Sequence, residues 1–389
     1  MGQLFRKIHL WLGLTSGVLI FLTCISGAFY AFKEELFQAI HHDQLYNANT
    51  NEMAQALPLN ELWANAQHSL GEEYPISYGT CYKDKNRNWS FKAYHYDSEG
   101  VTYNQWLKYD YIAYVNPYSG EVVDVMNHKW EFFHLVKMFH WSFLLNTEYG
   151  QPIVAFTVVV FLISLLTGLY LWWPFRKGKK GYAINTRSSR KVLNYDLHNV
   201  LGFYMLPVNI ILSLTGMVWA FKWFMMLVYA VANLSTTPPE KATIASSFND
   251  QQFRPQTYSA VYQQVRKKHP EAYSVNVYPA STDSTGLISV FVKNEPSVYF
   301  QAYQEQYDKY SGELLHSKGF EDLSRGEKLI AMNYDIHTGA ILGKTGKILA
   351  FIAALIGASL PVTGFIIWYK KRRKSKQQRL RLSTRLSNS

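Results

Sequence analysis

Cysteine is nearly absent: the chain of 389 residues has two, Cys24 and Cys81. Two lone thiols give no disulfide framework and no Cys-based metal site. Acidic residues are missing from two kinds of segment. None occurs in the apolar runs 10–32, 152–174, 199–221 and 344–369, which argues against a polar transport path through them. None occurs in residues 1–9, 175–195 or 370–389, all of which are basic. No G-x-G-x-x-G follows a strand, and these basic segments are too short for a dinucleotide-binding fold.

The four apolar runs are each long enough to cross a hydrocarbon core of roughly 30 Å at about 1.5 Å per residue. Lys33 and Lys222 fall just past two of the ends, where long side chains snorkel. The net charge of +11 is concentrated beside the runs. Arg6 and Lys7 precede the first. Arg176, Lys177, Lys179, Lys180, Arg187, Arg190 and Lys191 lie between the second and third. Lys370, Lys371, Arg372, Arg373, Lys374, Lys376, Arg379, Arg381 and Arg385 follow the fourth. The positive-inside rule makes these segments cytoplasmic and accounts for the charge without a nucleic-acid partner. Both termini are then inside, and the two long connections are outside. The expected order is a span (1–33), an external domain with a pre-span helix (34–150), a span (151–175), a basic loop (176–195), a span (196–230), a second external domain (231–336), a span (337–370) and a basic tail (371–389).

The chain repeats itself with an offset of 189 residues. His9-Leu10-Trp11-Leu12-Gly13 matches His198-Asn199-Val200-Leu201-Gly202, and Ser26-Gly27 matches Thr215-Gly216. The third run matches the first and lies mid-chain, so the first reads as a span and not as a cleaved signal. Thr167-Gly168 in the second run matches Thr363-Gly364 in the fourth. The external segments match around Tyr118-Ser119-Gly120-Glu121 and Tyr310-Ser311-Gly312-Glu313, each a turn into a strand. Helical stretches at 58–70 and 257–269 precede alternating segments at 89–115 and 272–307. The expected fold is therefore a membrane α-helical four-span bundle, made from a tandem direct repeat, with two small α+β domains outside.

Four of the twelve histidines sit at span ends, and the topology sorts them by side. His9 and His198 fall at the inner ends of the first and third spans. His140 and His337 precede the second and fourth spans at the outer end. Each side thus holds one histidine from each repeat, and two facing imidazoles are what a six-coordinate b-type haem requires. Zinc would need further Cys or carboxylate ligands, which the sequence does not place beside His9 or His198. Gly13 and Gly202 follow their histidines by four, one turn along the same face, and leave room for a flat macrocycle. Gly27, Gly168, Gly216 and Gly364 are expected to form slots for the porphyrin edge. His128, His134 and His140 are spaced by six and do not share a helix face, so one of them is expected to reach the bundle. His140 is preferred as the outer ligand because it is nearest the second span and aligns within one residue with His337; His134 is the alternative.

These motifs resemble the PepSY-associated transmembrane-helix family over residues 1–370. They are His9-x-x-Leu12-Gly13 with Ser26-Gly27, Phe139-His140, Asp196-Leu197-His198 with Thr215-Gly216, and Ile336-His337-Thr338-Gly339. The Ser-Gly-Glu strands look like PepSY domains. The resemblance implies a bacterial inner-membrane protein with periplasmic domains. It also implies two haem b groups and electron transfer to periplasmic ferric iron or a ferric siderophore for iron uptake. The electron donor would be a quinol or a separate cytoplasmic reductase. The alternative is a PepSY sensor or peptidase inhibitor without redox activity, which leaves the paired histidines unexplained.

Overall fold

A computed structural model describes residues 2–47, 55–173, 182–237, 244–246, 254, 256–296 and 298–387. Of the expected basic flank, Arg176, Lys177, Lys179 and Lys180 lie outside the described residues. Among the described residues, four helices are long and apolar enough to cross a membrane: α1 (Gly2–Tyr30), α4 (Thr147–Leu171), α5 (Arg190–Ala220) and a fourth span over Ala340–Ser375. The last belongs mainly to α8 (Gly343–Ser387). Between these lie α2 (Leu59–Leu70), α3 (Phe132–Ser142), α6 (Gln256–Lys268) and α7 (Asn333–Thr338).

The spans pack through small residues and a thin apolar core. A Cβ on Gly17 of α1 would lie 3.3 Å from Pro361 Cβ of α8, so the missing side chain permits the approach. Ile20, Phe161 and Leu165 are buried together, with Cys24, Leu206, Ile210 and Leu360 against them. Asn209 Nδ2 donates to the Ala353 carbonyl at 3.2 Å, a cross-helix bond in the apolar interior. The outward face is apolar too: Val18 and Phe156 are each 69% exposed in the isolated chain. Exposed apolar surface spread along four long helices is the surface a lipid bilayer covers.

Beyond one end of the bundle lies an antiparallel sheet of eight strands. They are β1 (Tyr78–Tyr82), β2 (Trp89–Tyr96), β3 (Leu107–Val115), β4 (Val122–Asn127), β5 (Ser274–Tyr278), β6 (Leu287–Glu295), β7 (Val298–Asp308) and β8 (Leu314–Lys318). Their order is β4-β3-β2-β1-β5-β6-β7-β8. The two external segments therefore contribute four strands each to one continuous sheet, where the sequence suggested two separate modules. The seam is β1 against β5, with Thr80 opposite Asn276. Burial alternates along β2 and the first part of β6, as expected when one face is covered. The cover is α2 and α6. Leu62, Ala66, Val261 and Val265 from these helices share a core with Phe91, Val275 and Val290 from the sheet. Trp63 of α2 stacks on Tyr258 of α6 with ring centres 5.3 Å apart, joining the covers of the two halves.

The Ser-Gly turns form as the sequence suggests. Asn116 Oδ1 accepts from the Tyr118 and Ser119 amides, and Asp308 Oδ1 accepts from those of Tyr310 and Ser311. Gly120 and Gly312 close them at φ of +74° and +72°, a conformation that favours glycine. β4 leads through His128 into α3 and on to α4. Asp335 of α7 accepts from the Tyr299 and Phe300 amides of β7 at 3.0–3.1 Å. The two helices that carry His140 and His337 are thus tied to the sheet.

Candidate functional site

Each of the four span-end histidines meets a partner helix at a hydroxyl residue followed by glycine. His9 on α1 has Nδ1 3.0 Å from the Ser164 carbonyl and 3.2 Å from Thr167 Oγ1 on α4. His198 on α5 has Nδ1 2.9 Å from Thr363 Oγ1 on α8. His140 on α3 has Nδ1 2.9 Å from the Thr23 carbonyl and 3.2 Å from Ser26 Oγ on α1. His337 on α7 has Nδ1 2.8 Å from Thr215 Oγ1 on α5.

The hydroxyl protons fix the direction of these bonds. Thr167 donates to the Ile163 carbonyl, Thr363 to Ser359, Ser26 to Leu22 and Thr215 to Ile211, each at 2.8 Å. Each oxygen therefore has lone pairs left for the imidazole, and Nδ1–H is the donor in all four rings. This tautomer is assigned from the network. It leaves Nε2 unprotonated, and among the described residues no Nε2 of the four has a hydrogen-bond partner. An imidazole whose Nδ1–H is held by an oxygen while Nε2 stays open is arranged as a metal ligand.

The glycines make these approaches possible. A Cβ would lie 3.1 Å from His9 Cε1 at Gly168, 3.1 Å from His198 Cε1 at Gly364 and 2.9 Å from His140 Cε1 at Gly27. At Gly216 it would stand 3.6 Å from His337 Cε1, an ordinary contact. Spacing expects these four glycines to form slots for a porphyrin edge; the structure sets each beside an imidazole, and Gly168 and Gly364 also line the cavity beside His9 and His198. The reason is local. Each glycine follows the hydroxyl residue that accepts Nδ1–H, so the ring lies flat over it and a side chain would occupy the same space.

The rings pair as the span ends suggest. His9 and His198 have ring centres 6.3 Å apart, and His140 and His337 have theirs 6.1 Å apart. A metal–imidazole bond is roughly 2 Å and the ring centre lies about 1 Å further on, so two rings on opposite sides of one ion stand about 6 Å apart. Both pairs have that separation. His9 and Ser26 are on one helix, so the two pairs lie about 25 Å apart along the bundle at ~1.5 Å per residue. At His198 the helix widens into a π turn over Leu197–Leu201. Such insertions rotate the remainder of the helix and recur at functional sites.

A cavity of about 900 Å³ opens at the end away from the sheet. His9, His198, Gly13 and Gly202 line it, together with Phe161 and Leu206. Nothing lies within 4 Å of a Cβ built on Gly13, and one on Gly202 would meet only Leu360. These two glycines face the cavity, as expected of residues that make room for a flat group. Arg6, Lys7, Lys371 and Arg372 also line it. An apolar chamber with cations in its wall suits a flat apolar macrocycle bearing carboxylates.

His134, the alternative outer residue, is not opposite His337. It is 4% exposed and stacks on His128 with ring centres 4.4 Å apart, beside Asp110. Burial, reinforced by His128, pushes its pKa down to about 3, so its ring is neutral. Sequence reading missed Asp110, a carboxylate inside a tyrosine-rich strand with no motif around it.

No curated protein matches the chain. The description PepSY-associated TM region matches residues 6–371. That match spans both halves of the sheet and all four helices that carry the histidine cradles, and the chain belongs to the PepSY-associated transmembrane family.

Proposed function

We propose that the protein is a di-haem b oxidoreductase of the bacterial inner membrane that passes electrons outward to reduce periplasmic ferric iron or a ferric siderophore. The observation that carries this reading is the pair of facing histidine couples, each ring held by the same Nδ1 cradle. His9 and His198 would hold one haem through Nε2, and His140 and His337 the other. When bound, haem supplies one-electron exchange at its iron.

The protein's own residues do the rest. Thr167, Thr363, Ser26 and Thr215 keep each Nε2 free of its proton and aimed by a fixed ring. Gly13 and Gly202 keep the cytoplasmic-side chamber open. Arg6, Lys7, Lys371 and Arg372 would pair with carboxylates there. Ile20, Phe161 and Leu165 pack together and line that chamber with apolar surface. The sheet stands on the side of His140 and His337, where a bulky ferric chelate would be met. Oxygen donors favour Fe(III) over Fe(II), so one-electron reduction would loosen the chelate. The donor would be a quinol or a cytoplasmic reductase at the basic end.

Sealed vesicles test the reading. Reduced quinol is supplied at the cytoplasmic face, with an impermeant ferric chelate and an impermeant Fe(II) trap on the other side. Trapped Fe(II) should form with the wild type and fall to background with His9→Ala or His140→Ala. Equal Fe(II) formation by those variants would overturn it.

A further inference from the structure

Six residues before His140, on the same helix, three side chains make a constellation that the histidine pairs do not use. Asp110 of β3, His128 after β4 and His134 of α3 bring one ligand atom each within 4.8 Å of one another. Asp110 Oδ2 lies 2.9 Å from His128 Nδ1 and 3.3 Å from His134 Nδ1. Ligands bound at about 2.1 Å with angles between octahedral and tetrahedral stand roughly 3.0–3.4 Å apart, so these edges already have the spacing of a coordination shell. Asp110 is 1% exposed, and its second oxygen, Oδ1, is buried without a hydrogen-bond partner. A buried carboxylate oxygen left without a donor needs a reason. His128 remains half-buried, which leaves an approach to the cluster.

We infer that Asp110, His128 and His134 form a binding site for a divalent first-row transition cation, and that Fe(II) is its working occupant. Two imidazoles and one carboxylate are a donor set that takes Fe(II) and leaves positions open. The choice of Fe(II) rests on the proposed ferric reduction; the metal site itself does not. His134 and His140 are six residues apart on α3, about 9 Å along the axis at ~1.5 Å per residue. Iron reduced beside His140 would therefore be captured within two helical turns.

Lys92 is the resident competitor. Its Nζ lies 3.1 Å from Asp110 Oδ2 and 3.3 Å from His128 Nδ1. That ammonium neutralises the carboxylate and must swing away when a cation enters. His134 donates Nδ1–H to the His128 carbonyl at 2.9 Å, so ligation through Nδ1 would move that proton to Nε2 and leave the ring neutral.

The experiment is anaerobic equilibrium dialysis of the full-length, untagged haem-loaded protein against Zn(II) and then Fe(II). Metal is counted by elemental analysis, and haem separately as its pyridine complex. Wild type should bind one Zn(II) per chain, displaceable by excess Fe(II). Asp110→Asn and His134→Ala should each lose that equivalent while keeping the haem count, which shows that they fold. Lys92→Met should bind several-fold more tightly, because the internal competitor is gone. An ion-pair network that serves only to dock α3 would bind no metal in either the wild type or Lys92→Met, and that result overturns the inference. Two haems without the extra metal would overturn the metal site alone; the extra metal without haem would overturn the electron-transfer reading alone.

Discussion

The hydroxyl oxygen of Thr363 lies 2.9 Å from Nδ1 of His198, while its proton goes to the Ser359 carbonyl one turn back on its own helix. That side chain and the Leu360 carbonyl on the same helix both accept from a ring on another span. Thr363→Val keeps the shape and removes the hydroxyl acceptor. The affinity for the haem proposed between His9 and His198 should fall about 10–100-fold, the usual cost of losing the hydrogen-bond partner of a ligating ring. Thr363→Ser should restore it. Haem titration into apoprotein measures this, and unchanged affinity in the valine variant would show that the hydroxyl does not position the ring.

The cradle glycines should differ from one another. A methyl group at Gly27 would stand 2.9 Å from the His140 ring, whereas one at Gly216 would stand 3.6 Å from His337. Gly27→Ala should displace His140 and convert the low-spin signal of its haem to high spin. Gly216→Ala should leave both haems low-spin. Electron paramagnetic resonance of the oxidised protein reads both, and equal behaviour of the two variants would contradict the geometry.

Asp335, fully buried two residues before His337, accepts from two amides of β7. Asp335→Ala would strand those donors, at a cost of about 1–3 kcal/mol each when they stay buried. The expected outcome is a lower Tm and a broadened spectrum of the sheet-side haem, with the other haem unchanged. A lower Tm with both spectra intact would show that Asp335 supports the sheet alone.

Acid should act on the sheet through Glu305. Burial raises its pKa, but Lys268, Tyr307, His269 and Ser317 all donate to it and hold it at about 2. The folded value lies below the ordinary 4.5 of a glutamate, so its stabilising contribution is complete above that value. It is lost as pH falls toward 2. Wild type should lose stability steadily across that window, and Glu305→Gln should be less stable at neutral pH with a flatter pH profile. Denaturant unfolding at several pH values checks the slope.

Much of this was legible in the sequence because membrane helices and histidine pairs leave coarse signals. The four spans follow from run length, and α2 and α6 emerge within a residue or so of their expected ends. His9 with His198 and His140 with His337 pair by side alone, and the rings meet as paired. The role of the Thr-Gly and Ser-Gly motifs was not legible. Spacing places them at the right depth but does not say whether a ring or a macrocycle lies over the glycine. The β1–β5 seam was also hidden, since strand alternation specifies a buried face but not an edge partner. Asp110 is a single carboxylate whose meaning comes only from strands and helix brought together.

The central claim is that each histidine pair holds one haem, and spectroscopy with a haem count tests it most directly. Purified under haem-replete expression, the wild type should contain two low-spin haems per chain, and His198→Ala and His140→Ala should each contain one. A wild type without haem, or a His198→Ala variant that keeps two low-spin haems, would contradict the account.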